Sequence, residues 1–269
     1  MWNSIKSILK YWKLSFIFDL KANFAYPTTF WMTFLTVPMW AVTQILFIET
    51  IYGQTGNFLG YTKYENYVLF GTCKLVQSIA VFLFYVRLED LAEKIRGQSD
   101  WSLDMMLLKP IDSQLFVTTG KYWLGSLSSM AVGAALIVYG YAHEPHLITL
   151  LSVLGYVGIM ALAVVFLYVI FLFIQTLLFY TDYLQVGESL WITFHEYGQY
   201  PRQLYQGGVG IIFNIIIPIT LMGSVPVEIL YGKMPLPMIL VYTLVVGILF
   251  LLSRLFWLHS LKRYASSSS

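Results

Sequence analysis

An uncharged run of 33 residues, 148–180, most constrains what this chain can fold into: ITLLSVLGYVGIMALAVVFLYVIFLFIQTLLFY. A membrane-spanning helix needs about 20 apolar residues, so this run can cross a bilayer with residues to spare. The excess is accommodated either by tilt or by a continuation along the inner interface. Only 11% of the chain is charged, whereas a soluble domain carries about 25%. The chain is therefore predicted to be one integral membrane domain.

Further apolar blocks predict an all-α integral membrane protein with six transmembrane helices. The least regular block contains Asn214 and Pro218, and Pro218 is expected to kink a true span. The predicted domains are a cytoplasmic interfacial segment (1–27), the six-span domain (28–258) and a cytoplasmic tail (259–269). The predicted spans are 28–50, 66–86, 114–140, 148–172, 207–224 and 236–257.

The basic residues predict the orientation, because Lys and Arg collect on the cytoplasmic side of membrane proteins. With the N-terminus inside, thirteen of the 16 basic residues fall inside, two fall outside, and Lys74 lies within the second span. A hairpin that only dipped into the membrane at 207–224 would place 261–264 outside, which this bias disfavours. The outer set is Lys63 and Lys233, and the inner set is Lys6, Lys10, Lys13, Lys21, Arg87, Lys94, Arg96, Lys109, Lys121, Arg202, Arg254, Lys262 and Arg263.

Residues 1–22 are too polar to span the membrane but have an amphipathic helical pattern. Such a helix lies in the inner headgroup layer, with Trp at the interface and Lys toward anionic lipid. It is either a simple anchor or an elbow helix that braces a moving bundle. The apolar face is Trp2, Ile5, Leu9, Trp12 and Phe16, and the polar face carries Lys6, Lys10 and Lys13.

The passage 87–112, RLEDLAEKIRGQSDWSLDMMLLKPID, holds ten of the 30 charged residues. Leu88, Leu91 and Ile95 share one helical face, and Pro110 ends a second short turn. An exposed apolar stripe in a cytoplasmic loop favours docking of a partner, and methionines suit an adaptable contact surface. The alternative is a solvated loop helix that lies flat on the bilayer.

The order of these elements resembles the permease subunits of type-2 ABC exporters (ABC-2 family transporter proteins). Within that family, IRGQSDWSLDMMLLKPI is similar to the IR…G-x-L-D-x-x-L-L-K-P stretch of the two-gene branch grouped with viologen exporters. The C-terminal FWLHSLKRYASSSS is also similar to the ending of that branch. The matching residues are Leu103, Asp104, Leu107, Leu108, Lys109 and Pro110, and around the fifth span Tyr200, Pro201, Pro218, Val225, Pro226, Leu230 and Gly232.

The resemblance implies that 87–112 contains a coupling helix that docks on a separate ABC ATPase. Such exporters combine two permeases with two ATPases, so the implied partners are two ATPase subunits, a second permease chain and the lipid bilayer. The chain has no G-x-x-x-x-G-K-[ST] motif, so ATP is expected to bind the partner, and no cofactor is expected on this chain. The implied coupling residues are Leu88, Leu91, Ile95, Leu103, Asp104, Leu107, Leu108, Lys109 and Pro110.

The implied activity is ATP-driven efflux from a bacterial-type inner (plasma) membrane, with both termini cytoplasmic. Aromatic, weakly charged spans suit an amphipathic or lipid-like cargo. The net charge of +2 argues against a nucleic-acid partner. The rival functions are an intramembrane lipid-modifying enzyme and a channel or scaffold. The enzyme would need a convergent cluster of His, Asp or Glu, which the sequence does not present, so no catalytic residue is predicted.

Lys74 is the sharpest candidate for chemistry inside the membrane, and Gln77 lies on the same helical face. An intramembrane cation is a functional hypothesis by default. It lines a translocation path or binds an anionic group, and Asn214 is a further candidate for that path. The alternative is a second span that starts near Val68, from which Lys74 snorkels to the outer interface.

Two other patterns carry weaker predictions. Gly125, Ser129 and Gly133 repeat at four-residue steps, and small residues of this kind let helices approach closely, here within one bundle rather than across a dimer. The HEPH turn at 143–146 contains two histidines and a carboxylate. Pro145 prevents helical H-x-x-H geometry, so no metal site is predicted there.

Overall fold

The computed structural model describes residues 2–25, 27–95, 103–109, 111–144, 148–180, 185–235 and 237–263. Within these ranges the chain is all-helical, apart from an isolated bridge between Phe58 and Tyr61. The all-α prediction is confirmed. Among the described residues, four segments are long and apolar enough to cross a membrane. They overlap the predicted first, second, fourth and sixth spans: Phe30–Gln54, Lys63–Ile95, Leu150–Phe179 and Met238–Leu261.

The described part of the chain forms thirteen α-helices, some of which are extended by short π or 3-10 turns. In chain order they are α1 (Trp2–Ala25), α2 (Pro27–Thr55), α3 (Lys63–Ala80), α4 (Val86–Glu89), α5 (Leu91–Ile95), α6 (Leu103–Leu107), α7 (Ser113–Thr118), α8 (Ser126–His143), α9 (Leu150–Thr176), α10 (Gln185–Tyr197), α11 (Gly207–Ile211), α12 (Ser224–Leu230) and α13 (Met238–Leu261).

Helix α3 is the centre of the bundle, and a capping box fixes its start. The Thr62 hydroxyl accepts from the Glu65 amide, and the Glu65 carboxylate accepts from the Thr62 amide. Glycines let α3 approach α8 closely, since a Cβ at Gly133 would lie 2.8 Å from the carbonyl oxygen of Gly71. Gly133 therefore lies at a helix–helix contact within the chain, whereas Ser129 faces a cavity described below.

The predicted third span, 114–140, is not one helix. Helix α7 ends at Thr118, and α8 begins only at Ser126. Between them Gly120 adopts φ +93°, a conformation that favours glycine and cannot continue a helix. The break exposes polar backbone to α1, where the Asp19 carboxylate accepts from the Tyr122 amide at 2.8 Å. The N-terminal helix is thus attached to the bundle at this interruption.

The predicted fifth span, 207–224, is also not one helix, so the expected kink is a full break. A π turn extends α11 to Ile216, after which Ile217 and Pro218 have ψ values of 77° and 72°. Proline lacks an N–H donor and forces the preceding residue away from helical geometry. The chain then resumes as a 3-10 turn over Ile219–Met222 that leads into α12.

The two sides of this break return to the same end of the bundle. Arg202, before the break, lies 2.8 Å from Glu228, after it (Nε to Oε2). Tyr61, just before α3, donates to Glu228 at 3.0 Å. The two flanks of 207–224 therefore lie at the same end of the bundle, so this segment does not run from one end to the other as the predicted fifth span would. Arg202 consequently lies beside the start of α3, with Lys63, and not with the cytoplasmic cations among which it was predicted.

Contacts between helix ends define the opposite end of the bundle. Trp12 of α1 donates to the Thr119 hydroxyl at 3.1 Å. Trp257, near the end of α13, donates to the Ser113 hydroxyl at 3.2 Å. The N-terminal helix and the end of α13 therefore lie at the same end of the bundle, beside the segment that follows α3. The cytoplasmic placement of both termini stays a prediction.

Candidate translocation cavity and coupling surface

Lys74 lies deep in the bundle, because α3 begins at Lys63, eleven residues earlier. This distance is roughly 16 Å along the helix axis. Its ammonium donates to His195 at 2.9 Å (Nζ to Nε2). An ammonium has donors only, so the Nε2 of His195 is the acceptor and its ring proton lies on Nδ1. The helix therefore begins before Val68, where the snorkelling alternative placed the start of the span, and the Lys74 ammonium points to His195 on α10.

A cavity of about 370 Å³ opens beside the Lys74–His195 pair. Gln77 donates to the carbonyl oxygen of His195 at 3.2 Å and so fixes α10 against α3. A smaller space of about 120 Å³ adjoins it and is lined by Gln77 and Gly125. Aromatic walls with a few polar groups are typical of small-molecule sites. The larger cavity is lined by Val37, Trp40, Gln44, Lys74, Ser129, Trp191, Ile192, His195, Glu196 and Gln199.

Asn214, the other predicted path residue, is not brought to Lys74. It lies in the π turn Ile212–Ile216, and its side-chain oxygen is buried without a hydrogen-bond partner among the described residues. His195 takes its place beside Lys74. Sequence reasoning missed this pairing because 121 positions separate the two residues.

A second polar cluster surrounds Glu228, which is 1% exposed. Its carboxylate accepts from Arg202 (Nε to Oε1, 3.0 Å), from Tyr61 at 3.0 Å and from Gln203 at 2.8 Å. A buried carboxylate is tolerated only when it is paired and hydrogen-bonded in this way. The cluster joins the YPR and VPVE stretches, so it explains why two short motifs on either side of the break occur together.

The passage 87–112, called the coupling segment below for its predicted role, presents its leucine stripe inward and not outward as predicted. Leu88, Leu91 and Leu103 are completely buried, and Met106 is 2% exposed. The expectation of an exposed apolar stripe is therefore wrong. The stripe packs into the end of the chain's own bundle, where Ile95 and Leu107 also contact the core. Burial of these side chains stabilises the position of the short helices against α7, α9 and the turn that follows α9.

The outward side of this segment is mixed in character. Leu108 is 84% exposed and Met105 is 53% exposed, and Glu93 and Lys109 are also exposed. Asp104 is half-buried. Pro110 and residues 96–102 lie outside the described residues. A partner would therefore contact this outward side and not the leucine stripe.

Asp90 connects the coupling segment to the break between α7 and α8. The ammonium of Lys121 lies 2.6 Å from Asp90 Oδ2, and that of Lys94 lies 3.7 Å from the same oxygen. Asp90 and Lys94 are thus an i,i+4 ion pair on the helical face. Lys121 adds a contact between segments that the helical pattern could not indicate.

The histidine turn has no metal-binding geometry in its described part. His143 stacks on Tyr64 with ring centroids 5.1 Å apart. Pro145 and His146 lie outside the described residues. Across the described ranges, no three His, Cys, Asp or Glu side chains are grouped so as to hold a metal ion.

The four long apolar helices of the described ranges are those of a multi-pass helical membrane protein. A family model described as ABC-2 family transporter protein matches residues 38–268. The chain belongs to this family and is a permease-type membrane component of an ABC transporter. Comparisons with curated proteins and with solved structures find no match. The predicted family is confirmed, and its viologen-exporter-like branch stays a prediction.

Proposed function

We propose that this chain is the permease subunit of an ATP-driven exporter, in which a separate ATPase moves α3 and thereby the cavity around Lys74. One observation carries the proposal: a single helical run, Lys63–Ile95, holds Lys74 about a third of the way along and the first part of the coupling segment at its end. Leu88 and Leu91 anchor that end in the core. A force on the outward side of the segment would therefore be transmitted to the cavity by a rigid element, as alternating access requires.

The proposed topology has six crossings made by α2, α3, α8, α9, α10 and α13. Helix α10 replaces the predicted fifth span: Trp191 packs on Tyr85 at 4.3 Å, and His195 contacts Lys74 nearer the start of α3. Helix α10 thus runs antiparallel to α3, toward Arg202. The segment 207–230 is then a re-entrant hairpin on the outer side. This arrangement keeps both termini cytoplasmic, because the charge bias survives the transfer of Arg202 to the outer set.

The proposed ATPase contact is the outward side of the coupling segment, centred on Met105 and Leu108. Exposed apolar side chains among charges are typical of such interfaces. The full assembly would contain two ATPase subunits and a second permease, of the same or a sister chain. ATP would bind the ATPase subunits.

The proposed substrate is an amphipathic molecule with an anionic group. The cavity offers the Lys74 ammonium at one point and the indole rings of Trp40 and Trp191 around it. A cation in a low-dielectric site attracts an anion strongly, while indole faces pack on apolar groups. The same features suit a lipid-like cargo.

The proposal is tested by co-purifying the tagged chain from detergent with the ABC ATPase encoded beside its gene. We expect Leu108→Asp to reduce the recovered ATPase by about tenfold or more, because interface centres contribute most of the binding energy. Leu204→Asp is the matched control: Leu204 is 46% exposed and lies next to Arg202, at the other end of the bundle. Equal recovery with both variants would refute the proposed surface, and no ATPase with the wild type would refute the exporter.

A further inference from the structure

A cavity of about 690 Å³ lies between α1 and the coupling segment, where the proposed transport path does not reach. Three cations line it: Arg87, Lys94 and Lys121. The carboxylates on its wall are Asp19 and Asp90. The Asp19 carboxylate is engaged by the Tyr122 amide at 2.8 Å, and Asp90 is engaged by Lys121 at 2.6 Å.

Lys121 is paired with Asp90, and Arg87 donates through Nη2 to the Tyr11 hydroxyl at 3.5 Å. Two buried donor groups of the cavity nevertheless lack a hydrogen-bond acceptor among the described residues. The side chain of Lys94 is 5% exposed, and its ammonium makes no hydrogen bond to the described residues. The Nε of Arg87 is likewise buried without a partner among them. Buried donors without acceptors are costly, so this arrangement favours an anion with several oxygen atoms. The Tyr11 and Ser15 side chains on the α1 wall add hydroxyl donors.

An apolar cavity of about 320 Å³ lies on the other side of the contact between α1 and the 115–122 segment. Trp12, next to Tyr11, lines it, and so does Tyr122, next to Lys121. Leu83 and Phe84, which line the apolar cavity, precede Arg87 by about one helical turn. The apolar cavity therefore lies roughly 5 Å from the charged cavity along the helix axis, toward the start of α3. Its other walls are Leu115, Thr119, Val164, Val165, Tyr168 and Phe250.

We propose that the two cavities together bind one anionic phospholipid. Its phosphodiester lies among Arg87, Lys94 and Lys121, and an acyl chain occupies the apolar cavity. A phosphoryl group supplies the oxygen acceptors that the buried donors lack, and Arg binds such groups with paired hydrogen bonds. The site lies at the end of the bundle that holds both termini, where anionic headgroups of the inner leaflet are expected. The lipid would brace α1 against the coupling segment, and its binding does not depend on ATPase coupling.

The first test is thermal unfolding of the purified chain in detergent with added phosphatidylglycerol or phosphatidylcholine. We expect phosphatidylglycerol to raise the Tm by on the order of 3–6 °C, and phosphatidylcholine to raise it much less. Lys121→Gln and Arg87→Gln should each reduce the phosphatidylglycerol shift by about half or more. Lys10→Gln removes an exposed charge of α1 outside the cavity and should keep the full shift. Equal shifts from both lipids, or full shifts in both cavity variants, would overturn the proposal.

The second test separates a lipid from a soluble anion. Val165→Trp should fill the apolar cavity and reduce the phosphatidylglycerol shift, whereas Val157→Trp is the control, since Val157 is exposed on the same helix outside that cavity. Inorganic phosphate at millimolar concentration should give a much smaller shift than the lipid. A phosphate shift equal to the lipid shift, unaffected by Val165→Trp, would overturn the lipid assignment.

Discussion

Arg202 and Glu228 are 26 positions apart in sequence, yet the guanidinium Nε lies 2.8 Å from a carboxylate oxygen that is fully inside the protein. This contact closes the segment 202–228 into a hairpin. It means that the apolar residues around Pro218 return to the end from which they started. The topology proposed above for the second half of the chain rests on this ion pair.

Removal of the Glu228 charge should therefore destabilise the fold. Glu228→Leu leaves Arg202, Tyr61 and Gln203 without their shared acceptor, and because the Arg202 side chain is 33% exposed we expect a loss of about 1–3 kcal/mol. Glu228→Gln keeps acceptors for Tyr61 and Gln203 and should cost less. Thermal unfolding in detergent measures both, with Glu93→Gln as an exposed control. A Glu228→Leu variant as stable as the control would contradict the role of this pair.

The Lys74–His195 contact predicts that substitutions at these two positions have non-additive effects on stability. His195→Leu removes the acceptor of a buried ammonium and should cost about 1–3 kcal/mol. The double variant with Lys74→Met should lose less than the sum of the two single losses, because no unpaired cation remains. The Tm values of the wild type, the two single variants and the double variant test this prediction. Additive losses would show that the two side chains do not interact.

The contact between α3 and α8 predicts different outcomes for two helical glycines. Gly133→Ala places a Cβ 2.8 Å from the Gly71 carbonyl oxygen, and overpacking of this kind costs about 1–3 kcal/mol. Gly158→Ala on α9 meets nothing within 4 Å and should be neutral or slightly stabilising, because Ala is the better helix former. The Tm of each variant, measured relative to the wild type, tests this difference. Equal shifts would contradict the close approach of α3 and α8.

Asp112 predicts a pH-dependent contribution to stability. Partial burial opposes ionisation, but hydrogen bonds from Arg254 and from the Leu115 amide outweigh it and lower the pKa of the Asp112 carboxyl. A lowered pKa in the folded state stabilises the fold above the usual carboxyl pKa, and this contribution is lost as pH falls through the folded value. Asp112→Asn keeps the helix cap but loses the charge. Its Tm deficit should be present at pH 7 and vanish at strongly acidic pH; a constant deficit would contradict the assignment.

The long helices could be predicted from sequence because each is a continuous apolar run whose length matches the thickness of a bilayer. The 148–180 run and the block before Lys262 needed no tertiary information. The breaks could not be predicted in the same way. Gly120 and Pro218 stand in apolar blocks whose composition suits a span, and only contacts with α1 and α3 show that the chain turns there.

The candidate cavity around Lys74 could be predicted only in part, because one of its two main polar residues stands out in the sequence and the other does not. Lys74 is conspicuous as a charge in an apolar block, so sequence alone indicates it. Its partner His195 lies in a segment too polar to be recognised as a span. Leu88 and Leu91 have the helical spacing of a docking stripe, but the same spacing suits a face that packs inward. Their burial depends on α9 and on the turn after it, which the local pattern does not contain.

Site-specific cross-linking tests the central claim most directly, that the outward side of the coupling segment contacts an ATPase. The chain has one cysteine, Cys73, which is 1% exposed, so an engineered cysteine would be the reactive thiol. We predict that Leu108→Cys, treated with a short thiol–amine cross-linker, forms a covalent adduct with the co-expressed ATPase, and that Leu204→Cys does not. No adduct from Leu108→Cys, or an equal adduct from Leu204→Cys, would contradict the account.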